Sequence, residues 1–131
     1  ELHWEEIALN QDKIKLNPDW SAYSDLETQG KLKIFTARED DNLVGYFVVI
    51  LGTNIHYKDH VFASNDVIYM HKDYRKGFAS IRLIKFAEKY LKEDGVSVLL
   101  INTKTHKPFD KVLERLKFKP IERVFSKFIG E

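Results

Sequence analysis

At 131 residues, with 44% apolar, 31% charged and 13% aromatic side chains, the chain has the size and composition of one folded domain with its own hydrophobic core. The absence of cysteine excludes disulfides, thiolate metal sites and a cysteine nucleophile, and points to a reducing, cytoplasmic compartment. A formal charge of +1 argues against a partner among nucleic acids or anionic membranes, and the longest apolar run, Tyr46 to Leu51, is far short of the ~20 residues of a membrane span.

In chain order, Leu2, Ile7, Ala8 and Ile14 mark one side of an amphipathic helix that Asn17 and Pro18 stop. Asp19 is placed to cap a second, short helix carrying Trp20, Tyr23 and Leu26 and ending at Gly30. Residues 32–37 and 43–51, rich in β-branched and aromatic side chains around the polar turn 39–42, predict a hairpin. A histidine-bearing loop, 54–60, leads to a third strand over Asp66 to Met70. Ile81, Ile84, Ala87, Tyr90 and Leu91 then keep helical spacing in the longest helix, which Asp94 and Gly95 end. Val96 to Ile101 reads as a strand buried on both faces, and the strand, helix, strand order predicts parallel pairing. A helix over Phe109 to Leu116 and a closing extended segment over Phe118 to Phe128 complete the order.

The chemistry concentrates between the third strand and the long helix. There the loop His71 Lys72 Asp73 Tyr74 Arg75 Lys76 Gly77, followed by Phe78 Ala79 Ser80, leads into a helix N-terminus. Free N–H groups and the positive end of the helix dipole suit a diphosphate, and Arg75 and Lys76 add charge-assisted bonds; the alternative is a basic turn that merely faces water.

This order resembles the GNAT acetyltransferase superfamily over nearly the whole chain. The family motif runs Gln or Arg, two residues, Gly, one residue, Gly or Ala, then an aliphatic pair. Arg75 matches its first position, and Leu83 and Ile84 match the pair. Phe78 and Ser80 stand at the glycine positions, and Gly77 falls one place early. The loop, the following Leu83 to Glu88 and the ending Leu116 Lys117 Phe118 are similar to bacteriophage-encoded members, which implies a host cytoplasm.

The resemblance implies an α/β fold with a mixed, mostly antiparallel sheet flanked by helices and splayed between strands 66–70 and 96–101. It implies one domain over residues 1–131, with a first strand expected before Glu1. The activity implied is transfer of an acetyl group from acetyl-CoA to the primary amine of a small molecule or protein. Ile68 and Met70 would pair their backbone with pantetheine, and Arg75, Lys76, Gly77, Phe78, Ala79 and Ser80 would cradle the diphosphate. Phe78 would turn into the core if the backbone there is helical. Asn102 would donate to pantetheine or substrate, or be a solvated turn residue.

For catalysis, the resemblance makes Asp66 the base, where partial burial would favour the proton on its carboxylate; otherwise it is a strand-entry residue making local bonds. Tyr69 faces the substrate channel or fills the core. His56 relays a proton or is solvated in its loop, and its spacing from His60, without acidic or thiol partners, does not support a metal. Leu113 stands where many members carry an acidic tyrosine. Trp20 and Tyr23 lie on helices that wall the acceptor site in the family and equally supply core. Many relatives dimerise through their late strands, so a homodimer is an open assembly. The competing reading is a GNAT-shaped binding protein without catalysis, gripping a host or viral protein, for which Phe78, Ser80 and Leu113 speak.

Overall fold

The computed structural model describes residues 17–75, 78–104 and 108–130, and the helix expected over 2–14 lies outside them. Helix α1, Trp20–Thr28, starts where expected: the Asp19 carboxylate accepts from the Ala22 N–H at 3.0 Å, and Gly30, at φ +73°, turns the chain into the sheet.

Four strands follow in the order β1-β2-β3-β4. Strands β1 (Leu32–Glu39) and β2 (Asn42–Asn54) form the expected hairpin. Its two-residue turn places Asp40 and Asp41 at φ 49° and 70°, the doubly left-handed turn that follows strand twist and that aspartate tolerates. The third strand departs from expectation. β3 spans Tyr57–Met70, so the loop expected over 54–60 shrinks to a two-residue turn at Ile55 and His56. A long antiparallel β2–β3 ladder, from Asn54↔Tyr57 to Gly45↔Met70, supplies the backbone pairing that recruits those polar residues into the strand.

Helix α2, Ala79–Glu93, crosses one face of the sheet, and β4, Val96–Leu100, pairs parallel to β3 as predicted. Leu83, Ala87 and Leu91 of α2 pack on Phe35, Phe47, Val49, Ala63 and Met70, while Ile84 joins Leu113 of helix α3 (Asp110–Arg115) and Leu116 at its C-cap in a second cluster. Apolar residues at i, i+4 and i+8 give α2 the stripe that covers the sheet. β4 is not buried on both faces: Ser97 and Val98 are exposed, at the start of a strand that forms the edge of the sheet.

Gly45 is a steric requirement. A Cβ there would lie 2.7 Å from the Met70 sulfur and 2.9 Å from the Tyr69 carbonyl oxygen.

Helix α3 ends with Lys117 at φ 72°, the Phe118 N–H bonded to the Leu113 carbonyl and the Lys117 N–H to that of Glu114, a left-handed C-terminal cap. The closing strand expected after it does not form among the described residues. Ile121, Val124, Phe125 and Ile129 are exposed; their three-and-four spacing does not alternate as a strand paired on a core face must, and Pro120 lacks a ladder donor. Among the described residues no helix is long and apolar enough to cross a membrane.

Candidate active site

The feature that organises the site is a fork between β3 and β4. The two strands pair from Val61↔Val96 to Ser64↔Leu100 and then part, so residues 66–70 keep a ladder partner only in β2. At the vertex, Asn65 replaces the next ladder rung with its side chain. Its Oδ1 accepts from the Asn102 N–H at 2.8 Å, and its Nδ2 reaches the Asn102 carbonyl at 3.5 Å. Beyond it the β4-facing edge of 66–70 is backbone without a strand partner, the condition under which an extended, amide-bearing ligand adds to a sheet.

The next residue is a bulge. The register steps from Val49↔Asn65 to Val48↔Val67, leaving Asp66 as the extra residue on β3. A bulge bends its strand and re-aims a side chain. The Asp66 carboxylate is directed to α1, where its Oδ2 accepts from the Tyr23 hydroxyl at 2.6 Å across 43 residues of sequence. Asp66 is exposed rather than partly buried, so a hydrogen bond, not desolvation, defines its surroundings. That bond, then desolvation and the carboxylate charge, push the Tyr23 phenol up to about 12, so it stays a donor at neutral pH. Trp20 lies against Tyr23, with ring centroids 5.9 Å apart.

Tyr69 is half-buried, neither core nor free: its ring sits 5.6 Å from that of Tyr46, and the Arg75 guanidinium lies 5.5 Å from its centroid. Ile68 and Met70 turn their side chains to the α2 side, where both join the core. The Met70 carbonyl accepts from Arg75 Nε at 2.6 Å. Arg75 is therefore bound back onto the end of the strand it follows, fixing the short 3-10 turn Lys72–Tyr74, at whose start His71 Nδ1 accepts from the Asp73 N–H. Lys76 and Gly77 lie outside the described residues. Phe78 occupies the N-cap of α2 and is 62% exposed, against the expectation that it enters the core: at φ −92° and ψ 6° its backbone is not yet helical, and no side chain caps the helix. Ala79 and Ser80 form the first turn, half-buried.

The fork thus brings together Asp66, Ile68, Tyr69, Met70, Arg75 and Asn102. It does not include His56, which sits in the β2–β3 turn, its N–H bonded to Asn54 Oδ1. Nine strand residues, 57–65, lie between His56 and Asp66, roughly 30 Å at ~3.3 Å per residue step. His60 bonds Ser97 Oγ at 3.0 Å, also on the closed side of the fork. Leu113 is buried with Ile84 and Leu116 in a cluster against which Ile68 and Ile101 pack, so an apolar side chain lies where an acid was expected from the family. A groove of about 240 Å³ between the end of β1 and Arg82, Leu83 and Phe86 of α2 reaches Tyr74 and Ala79 at the loop and first turn of that helix. Sequence reasoning missed Asn65 altogether; its one trace was an amide beside a carboxylate inside a strand.

No family model and no curated protein matches the chain. Solved structures do. A transcriptional regulator from Bacillus halodurans C-125 aligns over 98% of this chain and 89% of its own at 16% identity, with a TM-score of 0.76. An aminoglycoside acetyltransferase from an uncultured soil metagenomic sample, in complex with sisomicin, aligns over 99% and 86% at 14% identity and a TM-score of 0.68. AAC(6')-Iy in complex with the bisubstrate analog CoA-S-monomethyl-acetylneamine aligns over 98% and 90% at 18% identity and a TM-score of 0.69. The chain is similar to these structures in its fold, a four-stranded mixed sheet flanked by helices, and that fold is the GNAT fold.

Proposed function

We propose that residues 1–131 form one acyl-transfer domain that takes an acetyl group from acetyl-CoA and places it on the primary amine of a small molecule or protein. The observation that carries this reading is the fork: a strand edge without a strand partner at 66–70, a carboxylate on its bulge, and a helix start at its open end. The fit to the cofactor is chemical. The amides of a pantetheine arm need backbone donors and acceptors, which an edge not laddered to β4 supplies, and a diphosphate suits the start of α2 beside Arg75. Acetyl-CoA would supply a thioester whose C–S bond gives way to the C–N bond of the product amide, the electron pair leaving on sulfur.

This chain's residues do the rest. Asp66 takes the proton that the amine nitrogen sheds as it attacks. Backbone N–H groups on the open edge of 66–70 are the donors available to an oxyanion. Asn102 lies at the vertex with its backbone held by Asn65, which fixes how deep an arm enters the fork. No acid reaches the leaving group from the Leu113 position, which a thiolate tolerates because it is a stable anion.

Calorimetric titration with acetyl-CoA tests the reading. Binding to the intact protein, weakened about tenfold or more in Arg75→Ala, is the expected result; absence of binding to the intact protein refutes it. A second reading, a GNAT-shaped binding protein without catalysis, is favoured by Phe78 at the N-cap and by the buried Leu113. It expects no thiol release from acetyl-CoA with any amine.

A further inference from the structure

The hydrogen bond between Tyr23 and Asp66 joins two elements that share no ladder and lie 43 residues apart. The carboxylate sits on a bulge at an exposed position, where its rotamer is held less by burial than by the hydrogen bond it accepts. Its Oδ2 accepts a hydrogen bond from the Tyr23 hydroxyl at 2.6 Å, while Oδ1 has no hydrogen-bond partner among the described residues. Tyr23 is in turn braced by the Trp20 ring, one helical turn earlier.

We propose that Tyr23 is the positioning residue of the site: its hydroxyl holds one oxygen of the Asp66 carboxylate so that the other is presented to the amine of the acceptor. The inference rests on Asp66 being the base and adds a residue that the sequence offered only as core or acceptor wall. A base that must sit within hydrogen-bond reach of a nitrogen loses rate when it samples other rotamers, and a phenol is suited to restrain it because it donates one short bond without bringing a charge that would repel a cationic amine. An ammonium or guanidinium in place of Tyr23 would orient the carboxylate equally well but would oppose the substrate's own charge. The tyrosine also keeps its proton over the whole neutral range.

Two arms test it, and only one needs turnover. In the first, the alkaline titration of Tyr23 is isolated as the difference in phenolate absorbance between the intact protein and Tyr23→Phe. The expected midpoint is about 12 in the intact chain, falling toward the ordinary 10.0 in Asp66→Asn; an ordinary midpoint in the intact chain overturns the proposal. In the second arm, thiol release from acetyl-CoA is followed with n-butylamine, lysine and spermidine as probe amines. The reagent meets no protein thiol, since the chain has no cysteine. Tyr23→Phe, which keeps the ring against Trp20, is expected to lower kcat by about 10- to 100-fold with little change in the KM for acetyl-CoA. Thermal unfolding of the same variant checks that it is folded.

If the intact protein turns over and Tyr23→Phe matches it, Tyr23 does not position the base, and the proposed function stands without it. If Asp66→Asn matches the intact protein, or the intact protein releases no thiol with any probe, the function reading fails and takes this inference with it.

Discussion

Replacing Gly45 by alanine tests how tightly the floor of the fork is built. Gly45 is not among the glycines of positive φ, so alanine meets no backbone penalty and the whole effect is steric. The added Cβ would meet Met70 Sδ at 2.7 Å, Met70 Cε at 2.8 Å and the Tyr69 carbonyl oxygen at 2.9 Å. The first two are the tip of a flexible side chain, which normally yields cheaply. Met70 is only 6% exposed, however, and packs in the core under α2, so it has little room to move. The third is backbone in the ladder pair next to Gly45↔Met70 and can retreat only if β3 shifts against β2. Overpacking of this kind costs about 1–3 kcal/mol, read as a lower midpoint in urea unfolding at unchanged slope. Met70→Ala in the Gly45→Ala background removes two of the three contacts at the price of a cavity, so the pair should be non-additive, with a coupling of about 0.5–3 kcal/mol. Because Tyr69 and Met70 belong to the open edge of the fork, Gly45→Ala should also weaken acetyl-CoA binding. A Gly45→Ala protein within about 0.5 kcal/mol of the parent, with coupling near zero, would refute the reasoning.

Asn65→Ala removes both links to Asn102 and should cost about 1 kcal/mol or more while lowering acetyl-CoA affinity, measured by urea unfolding beside calorimetry. Phe47→Ala, at a fully buried ring in contact with Phe35, should destabilise by about 3–5 kcal/mol in the same assay. The Tyr23–Asp66 link predicts a pH signature. A phenol raised from 10.0 to about 12 on folding contributes stability that is complete below pH 10 and is lost as pH climbs through about 12. The stability of the intact chain relative to Tyr23→Phe should shrink across that window in unfolding melts, and a constant difference would refute the link.

Much of the fold was legible because its signals are local. Asp19 and Gly30 bracket a helix through one side-chain cap and one left-handed residue. Of the positions read from the helical period, Ile84, Ala87 and Leu91 are buried, while Tyr90 stays exposed and Leu83 joins the core, and the aspartate pair at 40–41 needs only the strand twist on either side. The extent of β3 was not legible, since Tyr57 to His60 are polar and join a strand only because β2 lies beside them. Nor was the fate of residues 118–130, whose apolar spacing fits no single pairing face.

The site divides the same way. Arg75 and the start of α2 were readable as one contiguous stretch, and Asp66 as a carboxylate on the strand before it. That Arg75 turns back to Met70, that His56 sits at the far end of a long strand, and that Phe78 stays in solvent depended on side-chain directions that no spacing encodes. Composition, periodicity and capping residues thus determined the kind and order of the elements from α1 to α3, because each acts within a few neighbouring residues. Only tertiary structure decided the fork, its Asn65 vertex and the Tyr23–Asp66 bond, because each joins groups 37 or 43 residues apart whose meeting is fixed by strand register and a single bulge.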